Sequence, residues 1–231
     1  MNKEHSVTFY LPTRKGSERV INKNTKPFAG IEGGLLANKL RQLCCSKELD
    51  EIILSTNDEV SAEVAERIVT DSRFKLIWRP DELCQSSTNL QDLICYVPTV
   101  TEAQHILWGH VTTPLTGAEQ YDEAIRNYLE KIKEGYDSLI GVCELRNFLL
   151  DKNARVINNT TALPWPRTQD LELIYEINHT MFIASRDVYL NEKNLIGRKP
   201  VLHVMDKIHS FDIDWDEDFK IAEALYKQYM L

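Results

Sequence analysis

Apolar positions along the chain fall into two alternating patterns. Short runs rich in β-branched and aromatic residues predict strands at 7–13, 51–56, 74–78, 105–108 and 137–145. Between them, apolar residues recur every three to four positions. The spacing of Leu35, Leu36, Leu40, Leu43 and Cys44 predicts a helix over 35–45. Asn57 or Asp58 is placed to cap a second helix through 69. Further helices are predicted over 88–97 and over 118–135, the latter closed by Gly135. This β-α-β-α rhythm predicts a largely parallel sheet with helices on both faces. In such sheets ligands sit at the carboxyl ends of the strands. The loops to inspect are therefore 14–24, 55–58, 79–88 and 109–117.

The rhythm breaks at about 145–180, a polar stretch with two prolines that reads as an excursion from the core of a single domain spanning 1–231. A strand at 181–185 resumes the pattern. The segment "SFDIDWDEDFKIAEALYKQYML" then predicts a strand edge, an acidic loop and a final helix.

Composition narrows the function. At 43% hydrophobic and 27% charged over 231 residues, the chain is globular in character. A formal net charge of −8 argues against nucleic acid or an anionic membrane surface as partner. No apolar run approaches the roughly 18 residues of a membrane helix, and the opening "MNKEHSVTFY" does not read as a signal peptide. Cys44, Cys45, Cys84, Cys95 and Cys143 are odd in number and lack C-x-x-C spacing, so reduced thiols in a cytoplasmic protein are expected.

Against that acidic background, "LPTRKGSERVINKN" at 11–24 concentrates Arg14, Lys15, Arg19 and Lys23 around Gly16 and Ser17. Two readings stand for it: a solvated basic turn, or a loop whose cations and backbone N–H groups hold phosphate. It is not a Walker loop, since GxxxxGK[ST] is absent. Near the other end lies "DIDWDED". On a strand, Asp212 and Asp214 point to one side and would need a cation between them. An oxygen-only pair suits Mg²⁺. Asp216, Glu217 and Asp218 read more simply as acids favouring a helix N-terminus. Thr112, Thr113 and Thr116 follow the strand at 105–108 as a polar connection or a substrate contact. Arg167, Gln169 and Asp170 in the excursion are solvated unless the ligand carries a carboxylate. A basic phosphate loop together with an aspartate pair meets the needs of nucleotidyl transfer.

Six ordered segments resemble the acylneuraminate cytidylyltransferases, the CMP-sialic acid synthetase family. "LPTRKGSERVINKN" stands where the family has IPARxGSKRxxxKN, and "LSTNDEVSAEVAE" is similar to its VSTDDxEIAEVA step. "RPDELCQSSTN", "WGHVTTPLTGAEQYDEAI", "RTQDLELIYEINHTMFI" and "DIDWDEDFKIAE" resemble its later motifs. The resemblance implies a three-layer nucleotide-diphospho-sugar transferase fold, α/β with a mixed, mainly parallel sheet. It also implies a homodimer formed through the 145–180 excursion. The implied reaction moves CMP from CTP to the anomeric hydroxyl of a 2-keto-3-deoxy sugar acid, releasing pyrophosphate.

By the same resemblance, Arg14, Gly16, Ser17 and Lys23 would cradle the CTP phosphates, with Asn24 near the base. Arg79, Pro80 and Ser87 would seat the cytidine. Asp212 and Asp214 would hold Mg²⁺. His110, Thr112, Arg167, Gln169 and Asn178 would face the sugar acid. Four positions depart from the pattern. Glu18 replaces a lysine, His110 a glutamine, Thr116 an arginine and His179 a glycine. Glu18 is expected to point away from the phosphates. The departures leave two alternatives open: a different acceptor, such as an octulosonate-type sugar or a sugar phosphate, or a catalytically weakened nucleotide-binding homologue.

Overall fold

A computed structural model describes residues 5–16 and 20–230. The expectations for Ser17, Glu18 and Arg19 lie outside the described residues. In chain order the elements are β1 (Val7–Pro12), α1 (Gly34–Cys44), β2 (Glu51–Thr56), α2 (Glu59–Ile68), β3 (Phe74–Trp78) and α3 (Leu90–Tyr96). They continue with β4 (His105–Gly109), α4 (Ala118–Lys131), β5 (Ser138–Leu145), β6 (Ile174–Ser185), β7 (Pro200–Val204) and α5 (Asp216–Tyr229).

The seven strands form one sheet in the order β3-β2-β1-β4-β6-β5-β7. β6 alone runs against the rest, pairing antiparallel with both β4 and β5. The sheet is thus mixed and mainly parallel, as expected. Alternation along β1 shows how the layers form. Phe9 and Leu11 pack with Leu36 and Leu40 of α1, Tyr121 of α4 and Phe219 of α5, while Tyr10 packs on the opposite face with Ile94 of α3 and Trp108. Both faces are therefore covered, which explains why β1, β2 and β4 read as nearly continuous apolar runs.

Local signals hold where they are chemical. Asp58 caps α2, its carboxylate accepting from Ser61 N at 3.3 Å and Ser61 Oγ at 2.6 Å. Gly135, at φ 83°, ends the turn that follows α4. Three differences are tertiary. β6 begins at Ile174, seven residues before the predicted 181, so its first half lies inside the predicted excursion. Those residues are mostly exposed and carry no clean alternation. β7 was not predicted; its five residues gain strand geometry by pairing with β5. Residues 211–214 form no strand, so the geometric reason given for the Asp212–Asp214 pairing does not apply, although Ile213 N donates to Thr112 O at 3.0 Å.

β6 carries one irregularity that shapes the site. Between the pairs Ile140–Phe182 and Val142–Ile177, β6 advances five residues while β5 advances two. The extra residues bulge over Gly141, where an added Cβ would lie 2.4 Å from Thr180 Oγ1 and 2.7 Å from Asn178 Oδ1. Gly141→Ala is expected to destabilise the protein by about 1–3 kcal/mol through overpacking, read from the midpoint of a urea titration. An unchanged midpoint would contradict the geometry. Among the described residues no helix is long and apolar enough to cross a membrane.

Candidate active site

The carboxyl ends of β1 and β4 and the segment after β3 open onto a cavity of about 460 Å³. The basic loop forms one wall. Past Pro12 the chain stays tied to β2, with Thr13 N donating to Ser55 O at 2.9 Å. Lys15 N then donates to Asn57 Oδ1 at 3.1 Å. Gly16 takes φ 80°, a left-handed turn open to glycine at no steric penalty. Arg14, Lys23 and Asn24 face the cavity. Arg14 and Asn24 also line an adjoining pocket of about 170 Å³ with Gly16. Lys15 is exposed and pairs with Glu59 at 3.3 Å, so the four basic residues do not share one task.

Lys23 joins the two ends of the chain. Its Nζ donates to Ile213 O at 2.8 Å, the carbonyl between Asp212 and Asp214. Asp214 lines the cavity, and its backbone is held by Asp218, whose Oδ2 accepts from Asp214 N at 3.0 Å and Trp215 N at 2.8 Å. Asp216 pairs with Lys26 and Lys220. The simple helix-terminus reading therefore suits Asp216 and Asp218.

Asp212 is different. Burial raises its carboxyl above the usual carboxylate range, and the Asp214 charge adds to the effect, while the Thr112 hydroxyl, His179 and Lys23 oppose it. Its Oδ1 is buried and has no hydrogen-bond partner among the described residues. A desolvated, unsatisfied carboxylate oxygen beside a second carboxylate is a fit for a hard cation. No group of three or more His, Cys, Asp and Glu side chains suited to a metal occurs among the described residues. Two carboxylates completed by water and phosphate oxygens are the arrangement Mg²⁺ favours.

The loop after β4 forms the floor. Of its three threonines only Thr112 lines the cavity. Thr113 and Thr116 are fully buried, and their hydroxyls donate to His110 O and His209 O. α1 pins this loop from below. Asn38 Nδ2 and Gln42 Nε2 both donate to Pro114 O, at 3.0 and 2.7 Å. The Lys39 Nζ donates to Thr113 O at 2.8 Å and Thr116 O at 2.7 Å, and bonds Tyr121 Oη at 2.7 Å. Burial drops the Lys39 amine well below the usual lysine value. Sequence reasoning passed over Lys39, although its place in the apolar stripe between Leu36 and Leu43 was the available signal.

His110 sits in the cavity wall. Burial first, then the nearby His179, Lys39 and Lys23, push its pKa down to about 4. The ring is neutral at physiological pH and able to accept as well as donate. The unfolded histidine takes up its proton below its ordinary value of 6.5, whereas folded His110 resists until about 4, so stability is lost as pH falls through that window. His110→Gln is expected to keep more of its melting temperature between neutral pH and about pH 5 than the parent does. Equal acid sensitivity of the two would contradict the assignment.

On the opposite wall, Arg79 is buried and binds inward. Nη2 donates to Thr13 O at 2.6 Å, Nη1 to Ser55 O at 3.2 Å and Nε to Cys84 Sγ at 3.0 Å. It fixes the ends of β1 and β2 against each other and so shapes the cavity it lines. Leu83, Leu90, Leu93 and Trp108 give apolar surface, with Gln85, Thr88 and Asn89 between them. Ser87 is exposed outside this wall, its hydroxyl 3.4 Å from Gln85 Oε1. Gln85, Thr88 and Asn89 take the place expected for it. Arg167 is exposed and paired with Asp170 at 2.9 and 3.0 Å; neither it nor Gln169 reaches the cavity wall. Asn178 is buried in the β6 bulge, its Oδ1 accepting from Thr180 N and Oγ1.

Residues 8–231 match the family model described as Cytidylyltransferase. The chain belongs to the cytidylyltransferase family. Among curated relatives, it is 26% identical to N-acylneuraminate cytidylyltransferase of Escherichia coli O18:K1:H7 over 94% of this chain. The chain spans about half (51%) of that relative's length. It is 25% identical to the pseudaminic acid cytidylyltransferase of Campylobacter jejuni strain 81-176, covering 94% of both chains. The cytidylyltransferase fold is seen in the solved CMP:2-keto-3-deoxy-manno-octonic acid synthetase complexed with CTP, at TM-score 0.68 and 11% identity, covering 96% of this chain and 99% of that one.

Proposed function

We propose that this protein transfers CMP from CTP to the anomeric hydroxyl of a 2-keto-3-deoxy nonulosonic acid, releasing pyrophosphate. The observation that carries this reading is the Lys23–Ile213 hydrogen bond, which ties the basic loop to the segment between the two aspartates at the far end of the chain, so that Arg14, Lys23 and Asp214 line one cavity. The acceptor class is supported by relatives named for N-acylneuraminate, pseudaminic acid and N,N'-diacetyllegionaminic acid.

In this reading Arg14 and Lys23 grip the triphosphate and offset charge on the departing pyrophosphate. Trp108 and the leucines around it give the nucleoside an apolar seat, with Gln85, Thr88 and Asn89 as polar contacts. Asp212 and Asp214 hold Mg²⁺, which when bound neutralises phosphate charge and polarises the phosphoryl group. His110 and Thr112 orient the acceptor. The anomeric oxygen bonds to the α-phosphorus, the bond to pyrophosphate breaks in line, and the hydroxyl proton is released to water.

A homodimer belongs to the same proposal. Leu150, Ile157, Leu163 and Trp165 of the excursion are all more than half exposed, an apolar set that a second copy would cover. Placement in the cytoplasm is supported by the five cysteines being free thiols. Calorimetry with CTP and Mg²⁺ tests the nucleotide half. Saturable binding of CTP in clear preference to ATP is expected, and equal or absent binding of both would refute it.

A further inference from the structure

Two walls of the cavity are joined by one side chain that does not itself line it. Arg14 stands on the basic loop, while Arg79 and Leu83 stand on the segment after β3. In the interior, the Arg79 guanidinium ties Thr13 O to Ser55 O. Nearer solvent, in the first position after β2, Asn57 makes a second tie. Its Oδ1 accepts from Lys15 N at 3.1 Å, and its Nδ2 donates to Asp81 Oδ1 at 2.9 Å. Lys15 follows Arg14 on the loop. Asp81 begins the short helical turn Asp81–Leu83, whose last residue lines the cavity. Arg79 N donates to Thr56 O at 2.8 Å, so the strand end that carries Asn57 already lies beside the segment that carries Asp81.

The chemistry of this tie requires an amide. A backbone N–H can only donate and an ionised carboxylate can only accept, so the side chain between Lys15 N and Asp81 must offer an oxygen on one side and an N–H on the other. The two partners therefore also fix which way the amide faces. An aspartate at 57 could still accept from Lys15 N, but it would set a second carboxylate against Asp81, with Asp58 and Glu59 next in the chain. Alanine would meet neither partner. The fold by itself asks for no such residue. The side chain is only half-buried, and Asp58 rather than Asn57 caps α2.

We propose that Asn57 is a positioning residue for the nucleotide, setting the distance between the Arg14 loop and the wall at Arg79 and Leu83. This inference rests on the CTP-binding half of the reading above. Its test is a reciprocal exchange, read by calorimetry with CTP and Mg²⁺ and by thermal melts. Asn57→Asp is expected to weaken CTP binding about tenfold, the scale of one hydrogen bond to a charged group. Asp81→Asn alone keeps an oxygen towards the Asn57 amide and should bind within about threefold of the parent. The double variant Asn57→Asp/Asp81→Asn has the parent's net charge and again sets one amide against one carboxylate. Its CTP affinity should return to within about threefold of the parent's, a coupling that two independent sites would not show. Melting temperatures should change little throughout, since both contacts lie near the surface. A lower melting temperature in Asn57→Asp with parental CTP affinity would make the residue merely structural and overturn this inference alone. A double variant as weak as Asn57→Asp would do the same. A parent that binds no CTP overturns the nucleotide reading and this inference with it.

Discussion

Asp214→Ala is expected to lower pyrophosphate release by about a hundred- to a thousandfold at saturating CTP, the effect of losing several kcal/mol of transition-state stabilisation at roughly 1.4 kcal/mol per tenfold. Asp214 lines the cavity, and Asp218 holds its backbone. The variant therefore keeps its helix cap and loses only the carboxylate. Asp212→Asn should be as damaging to turnover but opposite in its effect on the metal-free fold. Burial and the Asp214 charge raise the Asp212 carboxyl, so the folded state holds that proton more tightly than the unfolded chain does. Stability from this group is greatest at low pH and falls as pH rises through the raised value. Removing the charge removes that penalty. In chelator, Asp212→Asn should melt no lower than the parent at neutral pH. A lower melting temperature with full turnover would reverse both halves of the assignment.

Lys39→Met is expected to cost about 2–4 kcal/mol of stability, because it strands buried acceptors whose unmet hydrogen bonds cost about 1–3 kcal/mol each. Methionine approximates the lysine's length and apolar stem, so no large cavity opens. What is lost is the amine that gathers Thr113 O, Thr116 O and Tyr121 Oη beneath the floor of the site. The loop above it carries His110 and Thr112, so CTP turnover should fall as well, while α1 keeps its Asn38 and Gln42 contacts to Pro114. Urea titration and pyrophosphate release measure the two effects. A midpoint and a rate both equal to the parent's would show that the loop is positioned by other contacts.

The sequence displayed those parts of the molecule whose physics is local. Asp58 and Gly135 are helix terminators by their own chemistry, and they act as such. The strands β1, β2 and β4 are buried on both faces and read as apolar runs. β7 and the first half of β6 were not legible, since their residues are half-buried or exposed and take strand geometry from β5. In the site, Arg14, Lys23, Asn24, Arg79, His110, Thr112 and Asp214 do line one cavity. The strand argument for Asp212 and Asp214 was mistaken in its geometry, because a loop bond to Thr112 and the Asp218 cap hold that segment. Ser87 lies outside the cavity wall, which Gln85, Thr88 and Asn89 line in the same segment. Lys39 was missed because a helix interior was read as core, and only the tertiary structure shows which carbonyls it meets.

The most direct measurement incubates the protein with CTP, Mg²⁺ and single sugar acids, following pyrophosphate release and product mass together. The account predicts one pyrophosphate released per CMP-sugar formed, with a nonulosonic acid as the preferred acceptor over octulosonic acids and sugar phosphates. CTP binding with no pyrophosphate from any acceptor, or CMP found only on an acceptor of another class, would contradict it.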